Sequence, residues 1–405
     1  MRTGTANKPF AEKIAQLKLA QGYPRFFMVN WMKNSSAKIL RTAEALSRGG
    51  IPARMTLSRQ SFSEETLDAI KRKNIQLSTY DEMKHEAAKQ SVASYTELIL
   101  GLPNDSYESF VSGIEKAMDP HLTHVFIVYL CRLLDGTEMS TIADRQKYQY
   151  QTRVCKVGFG RSEYIANGVD ELEEIIIGSA AMPTEDWRRA HTFANLALVL
   201  YNCRLAFFLF NYLRQEHGVS LRQLLESLIA TLEHEPQRFP ALAKAMAAIR
   251  ECQQSILNQG SSLLTLEMTG NLLFEAHEAA CVLLLDQLDA CYRELWAFVT
   301  SRLAAEGCAA DPTLLRDLFV YQRALIPTWR TPPRQTLSFD WNVPQYVQAL
   351  CAGREPIVLE RCRTVMTVED KMGAFHDPAE FSRQKLPVAM LKIAEVTTIT
   401  TAQPP

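Results

Sequence analysis

One carboxylate interrupts a short apolar run, and it is the residue best placed to do chemistry. Glu97 lies within residues 96–100, which are otherwise mostly apolar. A run of this length followed by Gly101 and Pro103 is typical of a buried strand that ends in a tight turn. A buried carboxylate is costly without partners. Glu97 therefore either faces a ligand or forms an ion pair with a neighbouring Arg or Lys.

The alternation of side chains along this strand predicts which residues share the face of the carboxylate. Glu97, Ile99 and Gly101 fall on one face, whereas Leu98 and Leu100 fall on the other. In a barrel, the two leucines would contact the outer helices and Glu97 would point into the lumen. Gly101 would then leave space at the C-terminal rim, where the active sites of barrel enzymes lie.

The preceding strand carries the same pattern. Thr56, Ser58 and Gln60 fall on one face, while Met55 and Leu57 fall on the other. A parallel sheet that is covered on both faces normally carries apolar side chains on both of them. Polar faces on two neighbouring strands therefore favour a barrel lumen.

Other residues with metal-ligating or nucleophilic side chains show weaker patterns. His121 and His124 have no Cys or carboxylate at ligand spacing, so we interpret them as a solvent-facing pair near the start of a strand. The acidic run at residues 171–174 is typical of a solvated surface. The signature G-x-x-x-x-G-K-[ST] of phosphate-binding loops is absent. We predict no metal site from these residues.

Alternating strand and helix patterns must position the two polar faces. We predict strands at residues 25–31, 54–58, 96–100 and 123–131, each separated from the next by helical segments. Four strands do not close a barrel, so the alternatives are an open sheet and a partial barrel that lacks its first units. The polar faces favour the partial barrel.

The periodicity changes along the chain and predicts four regions of an α/β protein. These are a partial (β/α) barrel at residues 1–140, a connector at 141–183, a helical domain at 184–331 and a small α+β C-terminal tail at 332–405. Scattered glycines predict little regular structure in the connector. Long apolar periodicity of helical spacing defines the third region.

Composition restricts the class of protein. The chain has 405 residues, 47% of them hydrophobic, and a formal net charge of -1. Its charge argues against binding to nucleic acid or to a membrane surface. Nine cysteines without paired spacing, and opening residues that do not form a signal peptide, predict reduced thiols in a cytoplasmic protein.

A long apolar stretch at residues 195–213 resembles a membrane span in composition. Asn202, Arg204 and Asn211 interrupt it. A charged side chain in the middle of a span is expensive in lipid, so a helix buried among other helices is the better interpretation.

Four sequence blocks in residues 22–139 resemble the latter part of the catalytic barrel of radical SAM enzymes, in the subgroup with an N-terminal cobalamin-binding domain. The blocks are GYPRFFMVNWMKN, TLSRQS with TLDAIKRKNI, YTELILGLPNDSYESF and VYLCRLLDGTEM. The resemblance implies a partial barrel whose lumen holds S-adenosylmethionine against a 4Fe-4S cluster, with an unknown small-molecule substrate.

The resemblance also implies which residues face the cofactor. Ser58, Gln60 and Glu97 would face S-adenosylmethionine, and Lys33 and Asn34 would lie at the same end of their strand. The turn formed by Gly101, Leu102 and Pro103 would pass near the adenine. Tyr129, on the last strand, would complete the wall of the cofactor site.

The chain departs from this family in one decisive respect. Radical SAM enzymes hold the cluster with a C-x-x-x-C-x-x-C loop, and none of the nine cysteines has this spacing. Arg59 replaces a usually apolar residue, and residues 104–106 and 135–136 replace the usual Gly-Glu-Thr and Pro-Asn. We therefore expect the cluster ligands and the cobalamin-binding domain to lie upstream of Met1 or on a separately encoded partner.

Two functions follow from the sequence. The first is the C-terminal portion of a radical SAM enzyme, which cleaves S-adenosylmethionine to a 5′-deoxyadenosyl radical, with cobalamin-linked methyl transfer as an extension. Such a portion would be inactive without the cluster-binding part. The second is a degenerate, non-catalytic relative that acts as a binding or scaffold protein through its helical domain.

Overall fold

The computed structural model describes residues 7–24, 37–51, 55–57, 59–72, 77–90, 92–158, 160–163, 170–308, 310–355, 357–386 and 390–401. Within these residues the protein is a mixed α/β fold, about half helical, with small parallel and antiparallel sheets. The α/β class predicted from the sequence is confirmed.

The N-terminal region builds a parallel sheet with helices between its strands. Its elements are α1 (Asn7–Gln21), α2 (Ala37–Arg48), β1 (Met55–Thr56), α3 (Glu64–Ala69), α4 (Leu77–Lys89), β2 (Ser94–Leu100), α5 (Tyr107–Ala117) and β3 (His124–Leu130). The strands pair in parallel in the order β1–β2–β3. Parallel strands need such crossover helices, as the alternating pattern predicted.

The described part of the chain contains an open parallel sheet and no closed barrel. There the parallel sheet has three strands and does not close on itself. Closure requires every strand to pair on both sides, which three strands cannot achieve. The predicted first strand, residues 25–31, lies outside the described residues.

Strand β2 has the alternation that its sequence predicted. Every second residue from Ser94 is buried. Leu98 is 1% exposed and shares a core cluster with Phe110 of α5, whereas Glu97 is half-buried on the opposite face. Burial of a leucine side chain stabilises the fold by about 1.5–3 kcal/mol, which holds the strand in this orientation.

The start of α5 is stabilised by side chains. Ser106 Oγ accepts a hydrogen bond from the backbone N–H of Ser109 at 3.1 Å, and Ser109 Oγ accepts one from the N–H of Ser106 at 2.9 Å. This reciprocal capping box satisfies two backbone donors at the helix end. The turn and the helix that follow β2 are therefore determined locally.

The segment predicted as a connector with little regular structure contributes a helix and two strands to an antiparallel sheet, whose third strand, β4, precedes the segment. Its elements are β4 (Arg132–Leu133), α6 (Ile142–Tyr148), β5 (Gln151–Lys156) and β6 (Leu172–Gly178), with the strand order β4–β6–β5. The acidic run is not simply solvated, because Glu173 pairs with Arg132 and Glu174 with Arg145, each at 2.6 Å. These ion pairs and the buried Ile176 anchor β6.

The helical region consists of several separate helices with a sharp bend after the first. Its elements are α7 (Thr184–Ala197), a π-helical turn (Leu198–Asn202), α8 (Phe207–His217), α9 (Leu221–His234), α10 (Pro240–Leu257), β7 (Leu264–Thr265), β8 (Leu273–Phe274), α11 (Ala276–Asp286), α12 (Leu288–Ala305) and α13 (Pro312–Ala324). The chain bends by 95° between Thr184–Asn202 and Phe207–His217. In the described residues no single helix has the length and apolarity of a membrane span, although this bent pair does by composition.

The C-terminal region forms a third small sheet. Its elements are β9 (Arg334–Trp341), α14 (Val343–Cys351), β10 (Arg361–Glu369), α15 (Pro378–Lys385) and β11 (Glu395–Thr401). The strands are antiparallel in the order β11–β10–β9. One apolar cluster runs from Leu98 in the parallel sheet through the helical region to Phe381 in this tail. The predicted regions therefore pack around a shared core.

Candidate functional site

The carboxyl ends of β2 and β3 form the edge where the sequence placed a binding site. Ile99 pairs with Tyr129 in register, and Glu97 pairs with Ile127. Register partners in a parallel sheet point to the same side, so these four side chains share one face. Glu97 and Tyr129 are diagonal neighbours on that face, within the range over which long side chains interact.

This face offers a hydrogen-bond acceptor beside a donor. Tyr129 is 42% exposed. Partial burial and, after it, the carboxylate of Glu97 raise the pKa of Tyr129 to about 12, with Tyr95 and Glu275 acting in the same direction. The phenol therefore stays protonated at neutral pH. Within the described residues Glu97 has no ion-pair partner, so the structural alternative of an Arg or Lys pair is not found there.

Strand β1 contributes a third polar group to the same face. Thr56 pairs with Tyr95 in register, and Thr56 Oγ1 donates a hydrogen bond to the Tyr95 hydroxyl at 2.6 Å. Because Tyr95 and Glu97 are two residues apart on β2, Thr56 lies on the side of Glu97. The polar face predicted for β1 is therefore present at Thr56.

Gln60 lies beside the end of β2 with its side chain buried. Its backbone carbonyl accepts a hydrogen bond from the N–H of Ile99 at 3.0 Å, which extends the pairing of β1 and β2 beyond Thr56. The Gln60 residue is 3% exposed, and its Oε1 has no hydrogen-bond partner in the described part of the chain. A buried amide oxygen without a donor is unusual in a folded protein and suits a ligand contact.

The turn after β2 is packed rather than open, which corrects the expectation of space at Gly101. Gly101 has a φ of +99°, and a Cβ built there would lie 3.2 Å from the carbonyl oxygen of Ile176 in β6. Leu102 is 3% exposed in a cluster with Ile176, and Pro103 is also buried. The glycine is required because β6 approaches the turn closely, not because a ligand occupies its place.

Asp105 is an acidic residue at this edge that the sequence did not single out as a site. It is fully buried, and Ser109 Oγ donates a hydrogen bond to its Oδ1. Its Oδ2 has no hydrogen-bond partner in the described residues. Burial raises the pKa of Asp105 to about 6. A neutral carboxyl group is therefore present at this strand edge at mildly acidic pH.

A pocket lies against the end of β3, between the sheet and the helical region. Its cavity volume is about 90 Å³. The polar residues that line this β3–α11 pocket are Tyr129, Arg132, His191, Asn195, Cys252, Ser262, Glu275 and His277. Helices far away in sequence supply most of them, so spacing within the sequence carried no signal for this site. Tyr129 lines the pocket and also belongs to the polar sheet face.

The two histidines of the β3–α11 pocket are neutral at physiological pH. Burial, and then the neighbouring His277, lower the pKa of His191 to about 4; burial also lowers the pKa of His277. His277 Nε2 has no hydrogen-bond partner among the described residues, while its Nδ1 lies 3.7 Å from Glu275 Oε2. A neutral imidazole of this kind can donate to or accept from a polar ligand group.

His121 and His124 are buried, so their interpretation as a solvent-facing pair is wrong. They are 8% and 2% exposed. His121 contacts Asp119, which also pairs with Lys84 at 2.9 Å. His124 Nδ1 lies 2.8 Å from Ser94 Oγ, and burial lowers the pKa of His124 to about 3. Both histidines belong to a polar cluster at the amino ends of the strands, opposite the candidate site.

Three of the predicted site residues lie outside the described residues. These are Lys33, Asn34 and Ser58. The structure places Glu97 and Tyr129 on one face of neighbouring strands, and it places the backbone of Gln60 beside Ile99 near the end of β2.

The cysteines form no cluster-binding arrangement in the described part of the chain. All nine are free, and seven of them are buried. No group of three or more His, Cys, Asp or Glu side chains in the described residues could hold a metal ion. These residues therefore do not fit an iron–sulfur cluster.

Comparison with known proteins gives a partial match. No family model matches the chain. It is 29% identical over 218 residues to the cobalamin-dependent radical SAM methyltransferase TokK of Streptomyces tokunonensis, which covers 54% of this chain and 32% of that protein. It is 28% identical over 218 residues to the 2-(S-pantetheinyl)-carbapenam-3-carboxylate methyltransferase of Streptantibioticus cattleyicolor, with the same two coverages of 54% and 32%.

The match covers only part of each relative's chain. The chain spans about a third of the length of the curated relatives it matches, 32% in both cases. Over the matched part, this chain is distantly related to cobalamin-dependent radical SAM methyltransferases.

Proposed function

We propose that this chain is the C-terminal portion of a radical SAM enzyme of the cobalamin-dependent methyltransferase type. In this proposal the three parallel strands are the last strands of a partial (β/α) barrel, and their polar face is the wall for S-adenosylmethionine. The observation that carries the proposal is the placement of Glu97 and Tyr129 on one accessible face at the carboxyl ends of β2 and β3. The distant relationship over 218 residues supports it.

The residues on this face, together with Gln60 near the end of β2, have the chemistry to hold S-adenosylmethionine. The ribose hydroxyls and the ammonium group of that molecule are hydrogen-bond donors. Glu97 is a half-buried carboxylate without an ion-pair partner in the described residues, and Gln60 has a buried amide oxygen without a donor there. Both are acceptors, so they would satisfy donors of the ligand. Tyr129 would donate from the neighbouring strand.

An iron–sulfur cluster does not fit the described residues, so no reaction step of this chain is derived through one. Its cysteines are dispersed, and none has the C-x-x-x-C-x-x-C spacing. In the proposal, another part of the protein or a separately encoded partner supplies the cluster ligands and the cobalamin site. This chain then supplies the wall for S-adenosylmethionine and part of the surroundings of the substrate.

The β3–α11 pocket is the proposed place for part of a small-molecule substrate. It adjoins Tyr129, and its histidines are neutral, so they could donate to or accept from a polar group of the substrate. The name of one relative specifies a 2-(S-pantetheinyl)-carbapenam-3-carboxylate as the molecule on which that relative acts. For this chain we propose only a small molecule that presents a hydrogen-bonding group to His277.

The missing cluster ligands favour a second candidate, a non-catalytic binding or scaffold protein that associates through its helical region. The two candidates differ in one property that is directly measurable. If the polar face of the parallel sheet is a binding site, the chain binds S-adenosylmethionine. A scaffold protein that acts only through its helical region does not require this binding.

Equilibrium dialysis of the purified chain with labelled S-adenosylmethionine tests the proposal, with labelled ATP as a control for general affinity to adenine nucleotides. We expect saturable binding of S-adenosylmethionine at one site per chain, and weaker binding of ATP because its phosphates would approach Glu97. Absence of binding, or equal binding of both molecules, would contradict the proposal. Multi-angle light scattering of the same sample then measures whether the chain self-associates, as the scaffold candidate requires.

A further inference from the structure

Arg204 is a buried cation for which the described residues provide no carboxylate partner. The residue is 2% exposed, and its side chain is among the largest that are fully buried. Its Nη2 donates hydrogen bonds to two backbone carbonyls, those of Leu122 at 3.1 Å and His124 at 3.0 Å. Its Nη1 has no hydrogen-bond partner within the described residues. Buried charges in proteins are normally paired, so this arrangement calls for an anion.

The guanidinium remains charged in this environment. Burial lowers the pKa of Arg204 to about 10, which is still well above neutral pH. The Arg204 guanidinium also stacks 4.0 Å from the centre of the Phe207 ring, which stabilises a cation but does not neutralise it. Asp119 lies near enough to act on this pKa, but its carboxylate is already engaged by Lys84 and His121.

The backbone holds Arg204 in an unusual conformation at the break between two helices. Its φ is +64°, in the left-handed region that a side chain other than glycine rarely adopts. The residue follows the π-helical turn that ends at Asn202, and such turns recur at functional sites. Gln322 secures the break, since its Nε2 donates to the Arg204 carbonyl at 2.6 Å and its Oε1 accepts from the N–H of Phe208 at 2.9 Å. A strained residue that is held so firmly suggests a role for its side chain.

Arg204 lines a pocket whose other walls are mostly apolar. The pocket has a cavity volume of about 430 Å³, and we call it the Arg204 pocket. Its apolar walls are Leu122, Leu325, Met390, Leu391, Ile393 and Val396. Tyr321 and three further charged or polar residues also line it. Lys392 and Gln348 are exposed, and Glu395 forms an ion pair with Lys371, which offsets its charge.

We propose that the Arg204 pocket binds a small monocarboxylate with an apolar body. The carboxylate would compensate the guanidinium, and the aliphatic or aromatic body would contact the apolar walls. Because Nη2 is already used by two carbonyls, the geometry suits contact with one carboxylate oxygen better than a bidentate pair. Arg204 lies against the amino end of β3, so this site is separate from the polar face at the carboxyl ends of the strands.

Hexanoate and its neutral isostere hexanamide test this proposal on the full chain. We expect hexanoate to raise the melting temperature in a saturable manner and to bind at least tenfold more tightly than hexanamide by ligand-observed NMR. The same affinity for both molecules, or no binding of hexanoate, would overturn the proposal. Either result leaves the binding of S-adenosylmethionine at Glu97 unaffected.

Variants locate the bound carboxylate. Arg204→Gln should lower the affinity for hexanoate at least tenfold and leave that for hexanamide unchanged. Arg250→Gln, an exposed arginine paired with Glu233, is the matched control and should bind hexanoate normally. Since Arg204→Gln disturbs a buried position, Ile393→Trp serves as a second variant that fills the pocket and keeps the guanidinium. Undiminished binding of hexanoate to folded Arg204→Gln or Ile393→Trp contradicts the proposal.

Discussion

Glu97 and Leu98 are consecutive residues of β2 that face opposite sides of the parallel sheet. Leu98 is 1% exposed in the main apolar core, whereas Glu97 is half-buried on the face that carries Tyr129. Substitutions of these two neighbours should therefore have opposite effects on binding and stability.

Glu97→Ala should weaken the binding of S-adenosylmethionine and leave the fold intact. Loss of a hydrogen bond to a charged group costs about 1.5–3 kcal/mol, which corresponds to about a tenfold to hundredfold loss of affinity. Calorimetric titration and a thermal melt measure the two quantities. Glu82→Ala, which removes an exposed carboxylate from α4, is the control and should bind normally.

Leu98→Ala should destabilise the protein and have little direct effect on binding. Truncation of a buried leucine leaves a cavity and costs about 2–5 kcal/mol. Urea unfolding measures the loss of stability, and calorimetry below the unfolding transition measures binding. A stable Leu98→Ala variant that binds poorly would mean that the ligand occupies the opposite face of β2.

Asp105→Asn should stabilise the protein at neutral pH and not at acidic pH. An acid whose pKa rises from 3.8 to about 6 on folding binds more protons in the folded state. The free energy of unfolding therefore falls as the pH rises through this interval, and above it the folded state carries the full cost of a buried carboxylate. The asparagine removes that cost, so we expect a gain of about 1–3 kcal/mol at pH 7.5.

The pH profile of the difference between variant and wild type checks this prediction. Buried histidines such as His124 and His191 contribute equally to both proteins, so their effects cancel. The gain should shrink below pH 6 and vanish near pH 4 in urea unfolding. Asp68→Asn, an exposed residue of α3, should show no such profile. A gain for Asp105→Asn that does not depend on pH would refute a role for the ionised carboxylate.

Glu294→Ala should destabilise the helical region. The Glu294 carboxylate is buried and accepts hydrogen bonds from the backbone N–H groups of Ala241 and Leu242, each at 2.9 Å, at the start of α10. Its removal leaves two buried donors unsatisfied and costs about 2–4 kcal/mol. Glu294→Gln keeps an acceptor and should cost less. Urea unfolding measures both, with the exposed Glu251→Ala as the control.

Anaerobic reconstitution of the chain with iron and sulfide should produce no cluster. The nine cysteines have no C-x-x-x-C-x-x-C spacing, and no group of three ligands converges in the described residues. The sample should lack the broad visible absorbance of an iron–sulfur protein. Stoichiometric iron and sulfide together with that absorbance would show that other ligands hold a cluster.

The sequence alone predicted the local features of the candidate site. Alternation along β2 separated Glu97 from Leu98, because strand periodicity depends only on residues close together in the chain. The strand that contains Tyr129 was also predicted within a residue at each end. The resemblance to radical SAM enzymes rested on these same segments.

Only the tertiary structure decided which groups meet across the chain. The space at Gly101 is taken by Ile176, and the neutral histidines of the β3–α11 pocket come from α7 and α11. Arg204 interrupts an apolar run in the sequence, yet only folding shows it buried against two carbonyls with no carboxylate beside it in the described residues. Burial and the availability of partners depend on residues distant in the chain, and no local period encodes them.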